Sequence, residues 1–419
     1  MDMKTINGYD VKIFTDNIED SALEQIKELL AIDVFSDKKI RIMPDVHAGA
    51  GCVIGFTGDL GDKVIPNIVG VDIGCGMRVL RLGKLTDIDF HAFHEHIRGN
   101  VPSGMIVREE RFGFRPLACE EMDIYREAKQ IVTGLYCYRE LKDTARIYKA
   151  IGSLGGGNHF IELDKDDGGD IYLVIHTGSR NLGKQVAEIY QAKAVRHLTA
   201  GADEFENTIR RTIDEYKAAG RRSELQDVIS RMRREHHEAE PSLPAAVCYV
   251  EGEAREQYLH DMRLCQRWAV LNRKLISLLL MHFFSGIETV DEFESVHNYI
   301  SDDNIIRKGS ISAAAGERCI IPLNMRDGSL LCTGKGNPDW NCSAPHGAGR
   351  VLSRSQAYEK ITMEDFAASM RGIYSESVND ATRDESPMAY KPAAEIIANI
   401  GDTVTVDTVI RPVFNYKAY

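Results

Sequence analysis

Five short motifs constrain this chain more than its bulk properties do. They are Val71-Asp72-Ile73-Gly74-Cys75-Gly76, Gly155-Gly156-Gly157-Asn158-His159, His176-Thr177-Gly178-Ser179-Arg180, Val296-His297-Asn298 and Ala344-Pro345-His346-Gly347-Ala348-Gly349-Arg350. Each carries a residue able to bind a metal ion or attack phosphorus, mostly amid glycine, where the backbone can come close to a ligand. The third and fourth lie on either side of a helical-looking stretch at about residues 200–285. If they serve one site, that stretch is an excursion inside a single domain spanning 1–419, and the fold must close strands from both sides of it around the site.

Asp72 and Cys75, three residues apart in a glycine-flanked turn, can aim both side chains at one point. Carboxylate, thiolate and imidazole together suit a borderline divalent ion such as manganese, zinc or cobalt, and a thiolate can bridge two ions. His159 follows three glycines and Asn158, His176 ends an apolar strand, and His297 closes the set. His346, amid small residues and four positions before Arg350, suits a nucleophile that must approach a phosphate. Taken singly, a buried cysteine or a strand-end histidine is more often structural; the joint pattern is what points to a site. His91, His94 and His96 in a helix-like stretch, and His236-His237 in a charged run, are metal-capable by residue type but lack the glycine context and read as surface residues.

Short apolar runs predict strands over Lys39–Met43, Cys52–Phe56, Met77–Leu82 and Ile171–His176. Helical spacing appears over Ser21–Leu30, residues 120–150, from about Gly183, and over Arg255–Phe284. The greasiest stretch, Leu275–Phe284, is too short to span a bilayer, so no membrane association is expected. The N-terminus carries no apolar run, and the nine cysteines include no Cys-x-x-Cys pair, so a cytoplasmic chain with free thiols is expected. A net charge of -12 argues against a protein that coats nucleic acid. Arg221, Arg222, Arg231, Arg233 and Arg234 could form a local basic patch, but a solvated helix face is the simpler reading.

The ordered motifs, from Met43-Pro44-Asp45-Val46-His47 to Tyr416-Lys417, resemble the RtcB family of RNA ligases over nearly the whole chain. The resemblance implies an α+β, RtcB-type fold, one large domain with central β-sheets around the metal site. It further implies two manganese ions, one held by Asp72, Cys75 and His159 and the other by Cys75, His176 and His297, with Cys75 bridging. His346 matches the histidine that attacks the α-phosphate of GTP to give a covalent histidine–GMP intermediate. Asn158, Arg180 and Arg350 fall where the family handles phosphates, and Glu162, Ser329, Tyr390 and Lys417 where it holds guanine. The implied activity joins an RNA 3′-phosphate or 2′,3′-cyclic phosphate to a 5′-hydroxyl, in RNA repair or tRNA splicing.

Two segments before His346 depart from the commoner family pattern and imply a divergent branch. Pro322-Leu323-Asn324-Met325-Arg326-Asp327-Gly328 replaces a Gly-Ser-Met-Gly-Thr type of loop, and Gly334-Lys335-Gly336-Asn337-Pro338-Asp339-Trp340 is also unusual. Both are expected to border the nucleotide pocket. The rival enzyme reading is a metal-dependent RNA-end phosphoesterase that lacks ligation. The two-ion ligands alone would suit it, whereas His346 with Arg350 favours the ligase.

Overall fold

A run such as Ile171-Tyr172-Leu173-Val174-Ile175 fits a strand covered on both faces, which has no solvent side to alternate with. In the computed structural model, which describes residues 4–6, 8–109, 119–235 and 241–417, it lies in the strand Asp170–Thr177, buried along its whole length. That strand is third in a seven-stranded antiparallel sheet ordered Asp291–Val296, Gly76–Lys84, Asp170–Thr177, Phe160–Lys165, Val404–Lys417, Gly328–Gly334 and Arg318–Asn324. A second, six-stranded sheet runs Lys4–Thr5, Val11–Ile13, Ile40–His47, Ile54–Asp59, Ile305–Lys308 and Asn298–Ile300. Its one parallel pair is Val11–Ile13 with Ile40–His47. Both sheets interleave strands from before and after the helical stretch, so the chain is α+β with the excursion set between strands.

The expected strands all form: Met77–Leu82 and Ile171–His176 are extended at both ends, whereas those expected over Lys39–Met43 and Cys52–Phe56 are shifted to Ile40–His47 and Ile54–Asp59. The helix expected from about Gly183 begins at Arg180, so the turn at Gly178 feeds straight into it. The charged stretch forms the helices Ala202–Ala218 and Leu225–Glu235. Arg221 is bonded by two nitrogens to Glu224, at 2.9 and 2.6 Å, which fits a solvated face better than a phosphate-binding patch. The side chain of Arg234 and His236-His237 lie outside the described residues.

The helix Gly252–Met281 returns to the core. It packs against the helices Cys119–Gly134 and Arg180–His197 and the strand Asp170–Thr177, with Tyr258, Met262, Cys265, Trp268 and Leu275 buried along one side. Among the described residues no helix is long and apolar enough to cross a membrane, and none of the nine cysteines is in a disulfide.

One expectation fails on the helix Phe90–Asn100. His94 is not a surface residue: only 5% of it is exposed. It follows Phe93 on the helix face that packs toward Phe283, Phe284 and Phe414, and its ring meets that of Tyr416, 5.2 Å between centroids. His96 Nε2 lies 2.9 Å from the Leu279 carbonyl. His91 alone of the three is largely exposed.

Candidate active site

The ligand motifs meet because each lies at or beside the end of a strand. Cys75 immediately precedes Gly76–Lys84, His159 immediately precedes Phe160–Lys165, and His176 is next to last in Asp170–Thr177. In the ladder His176 stands beside both Met77 and Phe160. His297 sits between Asp291–Val296 and Asn298–Ile300, where the chain passes from one sheet to the other, and its N–H donates to the Cys75 carbonyl at 2.9 Å.

Cys75 Sγ is 3.5 Å from His159 Nε2 and 3.3 Å from His176 Nε2. His159 Nε2 lies 2.9 Å from Asp72 Oδ2, and His176 Nε2 lies 3.4 Å from His297 Nε2. Two donor groups result, Asp72–Cys75–His159 and Cys75–His176–His297, sharing the sulfur. His176 Nδ1 lies 3.0 Å from the Asn158 carbonyl. A carbonyl only accepts, so Nδ1 carries the proton and Nε2 offers its lone pair, the arrangement a ligating histidine needs. Asp72 Oδ1 has no hydrogen-bond partner among the described residues. Buried thiol, carboxylate and three imidazole nitrogens a few ångströms apart fit one or two borderline divalent ions. Gly178 is required here, because a Cβ on it would stand 2.1 Å from Asp72 Oδ1.

What holds these turns together is the long helix. Asn272 and Arg273 are both fully buried. The Asn272 carbonyl oxygen accepts from the Gly152 N–H at 2.7 Å, while its amide donates to the carbonyls of Ser153 and Gly178. Arg273 Nη1 donates to the carbonyls of Gly74 (2.9 Å) and Thr177 (2.8 Å), and Nη2 pairs with Glu294 at 2.9 Å. Two adjacent side chains thus satisfy backbone groups in the Asp72–Cys75 turn, the turn after His176 and the loop leading to His159.

His346 follows the short strand Ser343–Pro345, and its ring lies 4.9 Å from that of His297, centroid to centroid. Its Nδ1 is 2.7 Å from Asp45 Oδ2, an oxygen that also accepts the His346 backbone N–H at 3.2 Å. Oδ2 already accepts the backbone N–H, so it serves as the acceptor here too: His346 carries its proton on Nδ1 and Nε2 keeps its lone pair. Gly309, at φ +59°, makes room for the ring: a Cβ there would be 3.1 Å from His346 Cε1 and 2.2 Å from Ile54.

A cavity of about 590 Å³ opens beside His346, a volume in the range of small-molecule sites. His176, Asn158, Glu162, Tyr390, Lys417 and Arg350 are among its lining residues. Asn415 donates to Glu162, whose carboxyl is pushed up to about 7 by burial, with Asn415 and Lys417 opposing. Lys417 and Tyr390 both bond to Glu385, Tyr390 at 2.7 Å. Burial opposes the charge on Glu385, but Lys417 and Arg354 hold it well below the usual carboxylate range. Arg350 donates to the carbonyls of Leu352 (3.0 Å) and Asp384 (2.6 Å).

Two of the expected contact residues, Arg180 and Ser329, do not line the cavity. Arg180 donates to the Gly104 carbonyl and packs on Gly155, where a Cβ would overlap its guanidinium. Ser329 is fully buried in Gly328–Gly334, and its neighbour Gly328 reaches the cavity. Of the two unusual segments, Pro322 to Met325 line the cavity, but Gly334 to Trp340 do not. The latter docks on the six-stranded sheet instead: Trp340 stacks on Phe14 at 3.6 Å, and Asp339 pairs with Lys12 at 2.6 Å. Asp45, His47, Asn272, Arg273, Arg354 and Glu385 carry no ligand-type signature in the sequence, although Asp45 and His47 belong to the Met43-Pro44-Asp45-Val46-His47 motif.

A family model described as tRNA-splicing ligase RtcB matches residues 25–418. The chain is 29% identical to the RNA-splicing ligase RtcB of Escherichia coli K12, with 99% of each chain covered. It is 27% identical to the RNA-splicing ligase RtcB of Mycobacterium tuberculosis, over 85% of this chain and 90% of that one. With the tRNA-splicing ligase RtcB of Aeropyrum pernix it shares 26% identity, over 88% and 85%.

Proposed function

The chain belongs to the RtcB family and is an RNA ligase, and from that premise we propose a GTP- and manganese-dependent enzyme that joins RNA 3′-phosphate or 2′,3′-cyclic phosphate ends to 5′-hydroxyl ends. We assign its work to RNA repair or tRNA splicing, with residues 1–419 acting as one catalytic domain. The observation that carries the reading is His346: Asp45 takes up Nδ1 at 2.7 Å, leaving Nε2 free between the donor cluster and the cavity.

In this reading His346 Nε2 attacks the α-phosphorus of GTP. The P–Nε2 bond forms, the bond to the β-phosphate oxygen breaks, and pyrophosphate leaves with the electron pair. Asp45 offsets the positive charge the ring acquires. An oxygen of the RNA 3′-phosphate then displaces His346 from the phosphorus, carrying GMP onto the RNA end. The 5′-hydroxyl attacks the activated 3′-phosphorus, GMP departs, and the strands are joined; a cyclic phosphate end is first opened by water. Two manganese ions, one at Asp72, Cys75 and His159 and one at Cys75, His176 and His297, would supply Lewis-acid polarisation of phosphoryl oxygens. Asn158, Arg180 and Arg350 are assigned to phosphate handling, and Glu162, Ser329, Tyr390 and Lys417 to the guanine base.

The test is incubation with manganese and α-labelled GTP. Label retained on denatured protein, and lost in His346→Ala with fold and metal content intact, is the expected result. No label with any nucleotide would shift the assignment to a metal-dependent RNA-end phosphoesterase, which the donor cluster alone would also serve.

A further inference from the structure

A second group of metal-type ligands lies outside the catalytic centre. The helix Phe90–Asn100 places His91, His94 and Glu95 at positions i, i+3 and i+4, which share one face. Facing them is Glu376, from the segment between the helix Met363–Ser369 and the 3-10 helix Asp380–Glu385. Its carboxylate sits between the two imidazoles: Oε2 is 3.2 Å from His94 Nε2, and Oε1 is 3.3 Å from His91 Nδ1. Donor atoms of His94, Glu95 and Glu376 all lie within 4.8 Å of one another.

These separations have a simple interpretation. Two ligands at about 2.0–2.1 Å from one tetrahedral ion stand about 3.3 Å apart, and His94 Nε2 stands 3.2 Å from Glu376 Oε2. An imidazole nitrogen beside carboxylate oxygens suits zinc, nickel or cobalt rather than calcium or magnesium. Tyr374 donates its hydroxyl to Glu376 Oε1 at 2.7 Å, the kind of outer bond that orients a ligating carboxylate. Burial pushes the His94 imidazole down, with Glu376 opposing. The exposure is graded: the side chains of His94, Glu376 and His91 are 6%, 42% and 71% exposed. One anchored ligand thus faces a mouth through which an ion can enter and keep water.

We propose that His94, Glu95 and Glu376, with His91 at the other oxygen of the Glu376 carboxylate, form a site for a zinc-class divalent ion that fastens residues 374–377 to the helix Phe90–Asn100. The segment leads to the nucleotide-side wall of the cavity. Ser377 Oγ accepts the Lys417 N–H at 2.8 Å, the Asn415 N–H donates to the Tyr374 carbonyl at 2.9 Å, and the 3-10 helix that follows carries Glu385. An ion here would tie down the backbone that positions Lys417 and Glu385 without touching the reacting atoms.

Cobalt separates this site from the catalytic one, because only a centre containing Cys75 can give a thiolate-to-cobalt charge-transfer band. Cobalt alone is titrated into the metal-free full-length chain and into His91→Ala/Glu376→Gln, two exposed positions whose replacement spares the core. Wild type is expected to bind one equivalent that adds no charge-transfer intensity, and the double variant to lose that equivalent while keeping the thiolate band. The same variant should lose part of the rise in melting temperature that zinc gives wild type. An unchanged cobalt count and an unchanged zinc-induced shift in the double variant would overturn the site. Failure of the thiolate band in both proteins would count against the Cys75 centre and not against this one.

Discussion

Replacing Asp45 by asparagine and by alanine separates two things its carboxylate does for His346. Asp45 is fully buried, and one oxygen, Oδ2, receives both the Nδ1–H at 2.7 Å and the backbone N–H of His346 at 3.2 Å. When Nε2 bonds to phosphorus the ring becomes cationic, and the bond to the carboxylate then joins opposite charges. Such bonds contribute about 1.5–3 kcal/mol against about 0.5–1.5 for neutral ones. In Asp45→Asn the backbone N–H decides which way the amide turns, because a flipped amide would set two donors against each other. The amide oxygen therefore stays at Oδ2, the tautomer is kept, and only the charge is lost. That difference, about 1–2 kcal/mol, slows guanylation roughly 5- to 30-fold. Asp45→Ala removes the acceptor altogether and releases the tautomer and the ring orientation. A loss of about 10²- to 10⁴-fold is expected, by analogy with the orienting carboxylate of the Ser-His-Asp triad. The assay is the single-turnover rate of protein labelling by saturating α-labelled GTP with manganese, with bound metal measured on the same samples. Wild-type rates in Asp45→Ala at normal metal content would refute the role. Equal losses in the two variants would refute the separation of charge from tautomer.

Other consequences are as direct. Asn272→Ala should cost at least about 2 kcal/mol, because it strands buried backbone groups around Gly152, Ser153 and Gly178, and should also lower manganese retention. Urea unfolding together with bound-metal analysis measures both, and a stability loss at unchanged metal content would reject the bracing role. Cys75→Ala should empty or disorder the centre, since its sulfur belongs to both donor groups; full guanylation by this variant would contradict the bridge. For Glu162, burial raises the carboxyl from 4.5 to about 7, and only the ionised form can accept N–H donors on both oxygens, so GTP affinity should climb as pH rises through about 7. Equilibrium binding from pH 6 to 8 should show this climb in wild type and not in Glu162→Gln. The stability contribution runs the other way: with the folded value raised, it is complete below about 4.5 and fades as pH rises through about 7.

The difference between the residues the sequence makes legible and those it hides has a physical origin. Asp72, Cys75, His159, His176 and His346 stand out because metal and phosphate chemistry needs particular side chains on backbone that can come close, and glycine beside a ligand is visible in one dimension. The strands that carry them are equally legible, since Ile171–Ile175 has no other plausible fate than a covered strand. Asn272 and Arg273 are hidden because their partners are backbone carbonyls of Gly74, Thr177, Ser153 and Gly178, which carry no side-chain signature. A trace of them was present all the same. An amide and a guanidinium fall on the buried side of Gly252–Met281, next to Leu271 and Leu275, where helical spacing calls for apolar residues. A buried polar pair must be satisfied by something, and in a chain whose ligand turns are rich in glycine, the exposed backbone of those turns is the natural candidate. His94 misled for the converse reason: no glycine stands beside it, and only Glu376, brought in from far along the chain, reveals what its helix face can bind.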